Sequence, residues 1–113
     1  MARNNLERER QIATPFLNWG MDTVALIPEL RQLNNALKII GSGGVRHGLD
    51  VARCVRLGAQ MSALAQPFLE PALQSTGAVI EKIIILTEQL RWAMFLTGSQ
   101  DLSRLSTSPL MKR

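Results

Sequence analysis

Residues 37–48 read LKIIGSGGVRHG, and no other stretch constrains the fold as strongly. Leu37, Ile39 and Ile40 make a short apolar run with Lys38 at its entry and Gly41 at its close. A run that brief, bounded by glycine, reads as a β-strand buried on both faces. The turn GSGGV then opens a helix whose inner face takes Leu49, Ala52, Val55 and Arg56, and Gly58 is placed to stop it. Residues 59–65, AQMSALA, read as a second short strand of small and apolar residues. Two strands separated by one helix run parallel, with a right-handed crossover. The fold class is therefore α/β.

Helices flank this unit. Asp22 or Thr23 caps a helix whose stripe is Val24, Ile27, Leu30 and Leu33, with Leu26 beside it. Pro28 is tolerable there within a first turn, where its missing N–H costs nothing. Residues 77–97 are the strongest helical segment, with Ile80, Ile83, Ile84, Leu90 and Met94 on one face, and Gly98 ends it. Ser99 caps a last short helix over residues 100–105. Phe16, Leu17 and Trp19 are expected to pin a loop or short helix onto the core. Residues 1–14 are a charged segment, a short solvated helix or mobile; residues 15–105 form the folded part, and residues 106–113 are a loose tail.

The turn carries the chemistry. Glycine has no Cβ, so backbone N–H groups approach a phosphate closely, and at a helix start they point outward with the dipole favouring an anion. Arg46 and His47 add donors. The alternative is that the glycines only make a tight turn. The spacing lacks both the G-x-G-x-x-G dinucleotide pattern and the Gly-Lys-Ser/Thr ending of a nucleoside-triphosphate loop. With adjacent strands, Ala65 and Gln66 come to the same edge as Gly43 and Gly44. A phosphate shared by two neighbouring strand ends is the recurring anion site of (β/α) barrels; the alternative is an ordinary strand-to-helix corner.

Several chemistries are excluded. A single histidine and a single cysteine, Cys54, leave no zinc site and no internal disulfide, and fit a cytoplasmic protein. His47 is a surface or phosphate-edge residue and Cys54 a small core residue; Asp50 caps or solvates the helix start, and no catalytic triad can be assembled. No apolar run reaches the roughly 18 residues of a membrane span. The net charge of +4 favours anionic partners, but the cations are scattered without interleaved aromatics, so neither nucleic acid nor a membrane is the expected partner.

The segments IIGSGGVRHGLDVARCVRLGA and ALAQPFLEPAL resemble the last two strand ends of FMN-binding (β/α) barrels. FLNWGMDTV and RWAMFLTGSQDLSRL are similar to the type 2 isopentenyl-diphosphate isomerases among them, so the resemblance runs from about Arg8 to Leu105. It implies the C-terminal third of a TIM (β/α)8 barrel. It also implies a family that interconverts isopentenyl and dimethylallyl diphosphate with reduced FMN, Mg²⁺ on the diphosphate, and NADPH to keep the flavin reduced. Gly43, Gly44, Val45 and Arg46 match the family's first FMN-phosphate segment, and Ala65 and Gln66 the second. The family often carries arginine where Gln66 stands. The strands bearing the substrate, metal and flavin-ring contacts have no counterpart, so no catalytic or metal-ligating residue is assigned. The resemblance implies a C-terminal fragment, a truncated reading frame or half of a split enzyme, inactive alone; two parallel strands in isolation leave open edges and uncovered apolar faces, so the chain is expected to self-associate or to pair with a complementary N-terminal chain. The alternatives are a piece of an FMN-dependent 2-hydroxy-acid oxidase and a non-enzymatic interaction remnant of the fold.

Overall fold

The computed structural model describes residues 2–111. Eight regular elements follow in order: α1 (Ala2–Ala13), α2 (Thr23–Leu33), β1 (Ile40–Gly41), α3 (Gly48–Leu57), β2 (Met61–Ser62), α4 (Leu69–Gln74), α5 (Thr76–Leu96) and α6 (Leu102–Leu105), with short 3-10 turns at Thr14–Phe16 and Gln66–Phe68. β1 and β2 pair in parallel, Ile40 opposite Met61 and Gly41 opposite Ser62, with α3 as the crossover. The α/β class and the parallel pair agree with the expectation.

The strands are shorter than expected and are not buried on both faces. Ile39 is 6% exposed, while its neighbour Ile40 is 59% exposed. Strand side chains alternate between faces, so the Ile39 face meets α2 and α3 and the Ile40 face is left largely open. Ile27, Ile39, Val45, Cys54 and Ala59 form the core on the covered side. Burying an isoleucine such as Ile27 is worth about 2 kcal/mol, so this small cluster anchors α2, the strand and α3 together.

The entry to the strand pair is fixed by side chains. Arg31 reaches from α2 to donate to the Gly58 carbonyl through Nε and Nη2 (3.1 and 2.7 Å) and to the Asn35 carbonyl through Nη1 (2.8 Å). Gln60 Oε1 accepts from Arg31 Nη2 (3.2 Å) and from the Ile39 N–H (2.7 Å), just before the backbone ladder begins.

A second cluster, Ala52, Val55, Ala93 and Leu105, joins α3, α5 and α6. Gly48 makes the helix contact possible. A Cβ there would lie 2.3 Å from the Leu86 carbonyl oxygen and 2.6 Å from Leu90 N, and the Gly48 N–H donates to Gln89 Oε1 at 2.8 Å. Gly48 meets Leu86 and Leu90, and Val55 meets Ala93 one to two turns further on, so α3 and α5 run parallel.

Several local expectations are corrected. Leu49 is 45% exposed and Arg56 half-buried, because α3 turns Gly48, Ala52 and Val55 toward α5 and Cys54 toward the strands. Ile80, Ile83 and Ile84 are about half exposed, while Leu86 and Ala93 are the buried residues of α5. Phe16, Leu17 and Trp19 are also exposed; Phe16 and Trp19 meet edge to face (6.2 Å, 83°) but join no core. Pro28 stands at the sixth position of α2, past the first turn, so the Val24 carbonyl loses its intrahelical donor. Asp101, not Ser99, caps α6, its Oδ1 accepting from Arg104 N at 2.8 Å. No helix among the described residues is long and apolar enough to cross a membrane.

Candidate functional site

The candidate site lies where both strands end. After Gly41 the chain turns through Gly43 (φ +88°) and Gly44 (φ +75°), the left-handed region that side chains disfavour. Thr23, at the first turn of α2, holds this turn: its hydroxyl lies 2.7 Å from the Ser42 carbonyl oxygen and 2.9 Å from that of Gly43 and donates to the pair. Both carbonyls are thereby drawn toward α2. Among the described residues, the N–H groups of Gly43, Gly44 and Val45 have no acceptor. A Cβ on Gly44 would meet nothing within 4 Å, so the space over these donors is open. Val45 differs from its neighbours in being 7% exposed: its side chain is core, and only its N–H serves the turn.

The second strand end lies alongside. The ladder continues past β2 with Ala63 N donating to the Gly41 carbonyl at 2.9 Å. Ala65 and Gln66 then open the turn Gln66–Phe68, both exposed, and the Ala65 N–H also has no acceptor among the described residues. Parallel pairing thus brings the six sequence-derived residues, Gly43, Gly44, Val45, Arg46, Ala65 and Gln66, to one edge of the sheet. Unpartnered backbone donors that face open space can bind phosphate-type anions. Ser62 Oγ, at the last residue of β2, is a buried oxygen with no partner among the described residues.

Arg46 and His47 serve in unequal ways. The Arg46 backbone N–H is already taken by Asp50 Oδ2 at 3.0 Å, which leaves its exposed guanidinium as the group open to a partner. His47 is the N-cap of α3: its Nδ1 accepts from Asp50 N at 3.2 Å, which places the neutral imidazole's proton on Nε2. Asp50 completes the brace, with Oδ1 3.0 Å from Arg53 Nη1. Burial pushes the Asp50 carboxyl up, but the Arg46 N–H, the Arg53 hydrogen bond, His47 whenever its ring is protonated, and the Arg53 charge outweigh it and hold it below the ordinary aspartate value.

A lowered folded pKa means that the brace stabilises the chain above the unfolded value of about 3.9 and fades as pH falls through the folded one. Asp50→Asn is therefore expected to lower the urea midpoint at pH 7. The gap to the parent should close as pH falls below 4. A gap that persists unchanged at pH 2.5 would contradict the ionic origin of the brace.

Thr23, Asp50 and Gln60 are site-shaping residues that sequence reasoning did not single out for those roles. Thr23 and Gln60 act across about twenty residues, and no local pattern marks such contacts. Asp50 was placed as a cap, and only the fold shows that its acceptor role goes to the Arg46 N–H. Among the described residues, no group of three or more His, Cys, Asp or Glu side chains converges as a metal site.

Comparison with known proteins agrees with this architecture. The profile of the FMN-dependent dehydrogenase family matches residues 17–112. The isopentenyl-diphosphate delta-isomerase of Xanthobacter autotrophicus is 45% identical over 103 residues, which cover 91% of this chain and 30% of that protein. Its namesake from Halobacterium salinarum is 45% identical over 104 residues, covering 92% and 28%. That of Rickettsia bellii is 37% identical over 109 residues, covering 96% and 31%. The chain spans about 30% of the length of these curated relatives. The two paired strands with α3 between them are accordingly consistent with part of an α/β barrel, and the match takes in every residue of the two strand ends: the chain belongs to the FMN-dependent dehydrogenase family.

Proposed function

We propose that this chain supplies the FMN-phosphate-binding part of an isopentenyl-diphosphate delta-isomerase, an enzyme of isoprenoid biosynthesis. The observation that carries the reading is the run of unpartnered N–H groups at residues 43–45, with open space beside Gly44, at the strand end that the parallel pair shares with the Ala65 N–H. The relatives' name supplies the reaction, and the family supplies the cofactor.

The residues present fit the phosphate end of FMN. Gly43, Gly44 and Val45 donate backbone N–H groups, Ala65 donates from the second strand end, and the Arg46 guanidinium and Gln66 amide stand at the rim. Bound and reduced, the flavin would supply acid–base chemistry at the allylic carbons of the substrate. This chain's own residues bind and orient the phosphate; none of them is placed to move a proton on the substrate. Mg²⁺ and NADPH belong to the same reading; among the described residues no group of three or more His, Cys, Asp or Glu could hold a metal ion. Activity requires the further parallel strands of a barrel, from a longer chain or from a partner. Alone, the chain is expected to be inactive.

The test uses two ligands that differ by one phosphate. FMN is expected to shift the backbone amide NMR signals of Gly43, Gly44, Val45 and Ala65, and riboflavin is not. Gln66→Arg should tighten FMN binding about tenfold, the worth of one added charged hydrogen bond of roughly 1.5 kcal/mol. Equal shifts with riboflavin, or none with FMN at millimolar concentration, would remove the phosphate site from this chain.

A further inference from the structure

The glycine turn runs directly into the cap of α3, and that cap depends on the protonation state of a histidine. His47 caps the helix by accepting the Asp50 N–H at Nδ1, 3.2 Å away. Only a neutral imidazole has a lone pair there to accept with. The same Nδ1 stands 3.6 Å from Asp50 Oδ2. One ring atom therefore faces a donor and an acceptor at once. Neutral, it takes the Asp50 N–H. Protonated, it loses that bond and turns its own N–H toward the Asp50 carboxylate. Every group in this exchange lies within residues 46–53 of the chain, so it needs nothing from outside.

Both consequences of protonation favour an anion at the turn. The Asp50 N–H is released, which adds an unpartnered donor at the start of α3, where the Arg46 and Gly48 N–H groups are already held by Asp50 Oδ2 and Gln89 Oε1. A positive charge also appears two residues after Val45, the last of the three unpartnered donors of the turn. Two peptide units span no more than about 8 Å, inside the screening length of about 10 Å at 0.1 M salt. The other charges around the ring stay as they are over the histidine range. They are Asp50 and Arg53 on α3, Arg46 in the turn and, from α5, Glu88, which lines the same groove as His47 and pairs with Arg91 at 2.7 Å.

We propose that protonation of His47 tightens anion binding at the glycine turn, so that the turn takes up an anion and a proton together. This rests on the phosphate-binding reading of the turn and adds a regulation to it. Histidine is the side chain whose ordinary charge change falls between about pH 5 and 8. The affinity of the turn for an anion therefore rises as pH falls through that range. Linkage requires the converse, that a bound anion strengthens the hold of His47 on its proton.

Sulfate tests this on the full chain, because its charge is constant over the range in which phosphate esters titrate. Followed by the amide NMR signals of Gly43, Gly44 and Val45, sulfate is expected to bind roughly threefold more tightly at about pH 5.5 than at about pH 8, the effect of one unit charge near a dianion in partly screened, high-dielectric surroundings. His47 is the one histidine of the sequence, so the ring signals are its own. Saturating sulfate should raise their titration midpoint by about 0.5 pH unit, the same threefold factor read from the other side. His47→Asn keeps an oxygen to cap α3 and takes up no proton, so its sulfate affinity should be equal at the two pH values. The ring titration uses the parent chain and decides the matter even if that variant folds poorly. A parent affinity that does not change with pH, a pH dependence that His47→Asn retains, or a ring titration unmoved by sulfate each overturns the coupling and leaves the anion site standing. Sulfate that shifts none of the turn signals at either pH overturns the site and the coupling with it.

Discussion

Gly48→Ala is expected to lower the stability of this chain by about 3 kcal/mol or more, the top of the range for a methyl forced into a packed core. The added Cβ would sit 2.3 Å from the Leu86 carbonyl oxygen and 2.6 Å from Leu90 N, and neither is a side chain that can swing away. α5 must move off α3, and the bond from the Gly48 N–H to Gln89 goes with it. The second core cluster, which depends on Ala52 and Val55 meeting Ala93, is then lost. Urea unfolding followed by circular dichroism should show a sharply lower midpoint or no cooperative transition. An unchanged midpoint would mean that α3 and α5 do not pack as described.

Gly44→Val should separate binding from folding. At φ +75° a side chain costs roughly 1–2 kcal/mol, and a β-branched one tends to the upper end. The new Cβ meets nothing in the protein, so steric strain adds little. What it fills is the open space above the N–H groups of Gly43, Gly44 and Val45. FMN affinity is expected to fall by more than tenfold, while the fold survives with a modestly lower midpoint. Unaltered FMN binding by this variant would place the phosphate elsewhere. Gly43→Ala makes a useful contrast, because its Cβ would press on Thr23 Oγ1 at 3.3 Å and disturb the turn from behind.

The strand, glycine turn and helix were legible because an apolar run ending in glycines leaves little else to build. The parallel pairing followed from the length of the α3 crossover. Other features were ambiguous for physical reasons. In α3, Leu49 and Val55 both satisfy a helical period, and only contact with Gly48-side α5 shows that Leu49 is outside. In α5 apolar residues surround the axis, so no single stripe marks the buried face; small Ala93 is buried while isoleucines are not. Ser99 and Asp101 are both good caps, and the choice fell to the one whose oxygen reaches Arg104 N. α4 was hidden by Pro67 and Pro71, which start short helices as readily as they end strands. In the candidate site the glycines and Arg46 were readable, whereas the Thr23 hydroxyl was not, since a contact 19 residues away leaves no local trace.

The Gln60 side chain has a consequence at the far end of the strands. Its Oε1 accepts the Ile39 N–H before the ladder starts, and Arg31 holds it there. It works as a locating pin. Slipping β2 by one residue would shift its end by about 3.3 Å and turn each side chain to the opposite face. Under the proposed function, Ala65 would then no longer converge with the glycine turn on one phosphate group. Alignment at the glycine-turn end is thus set by an amide at the opposite end of the sheet.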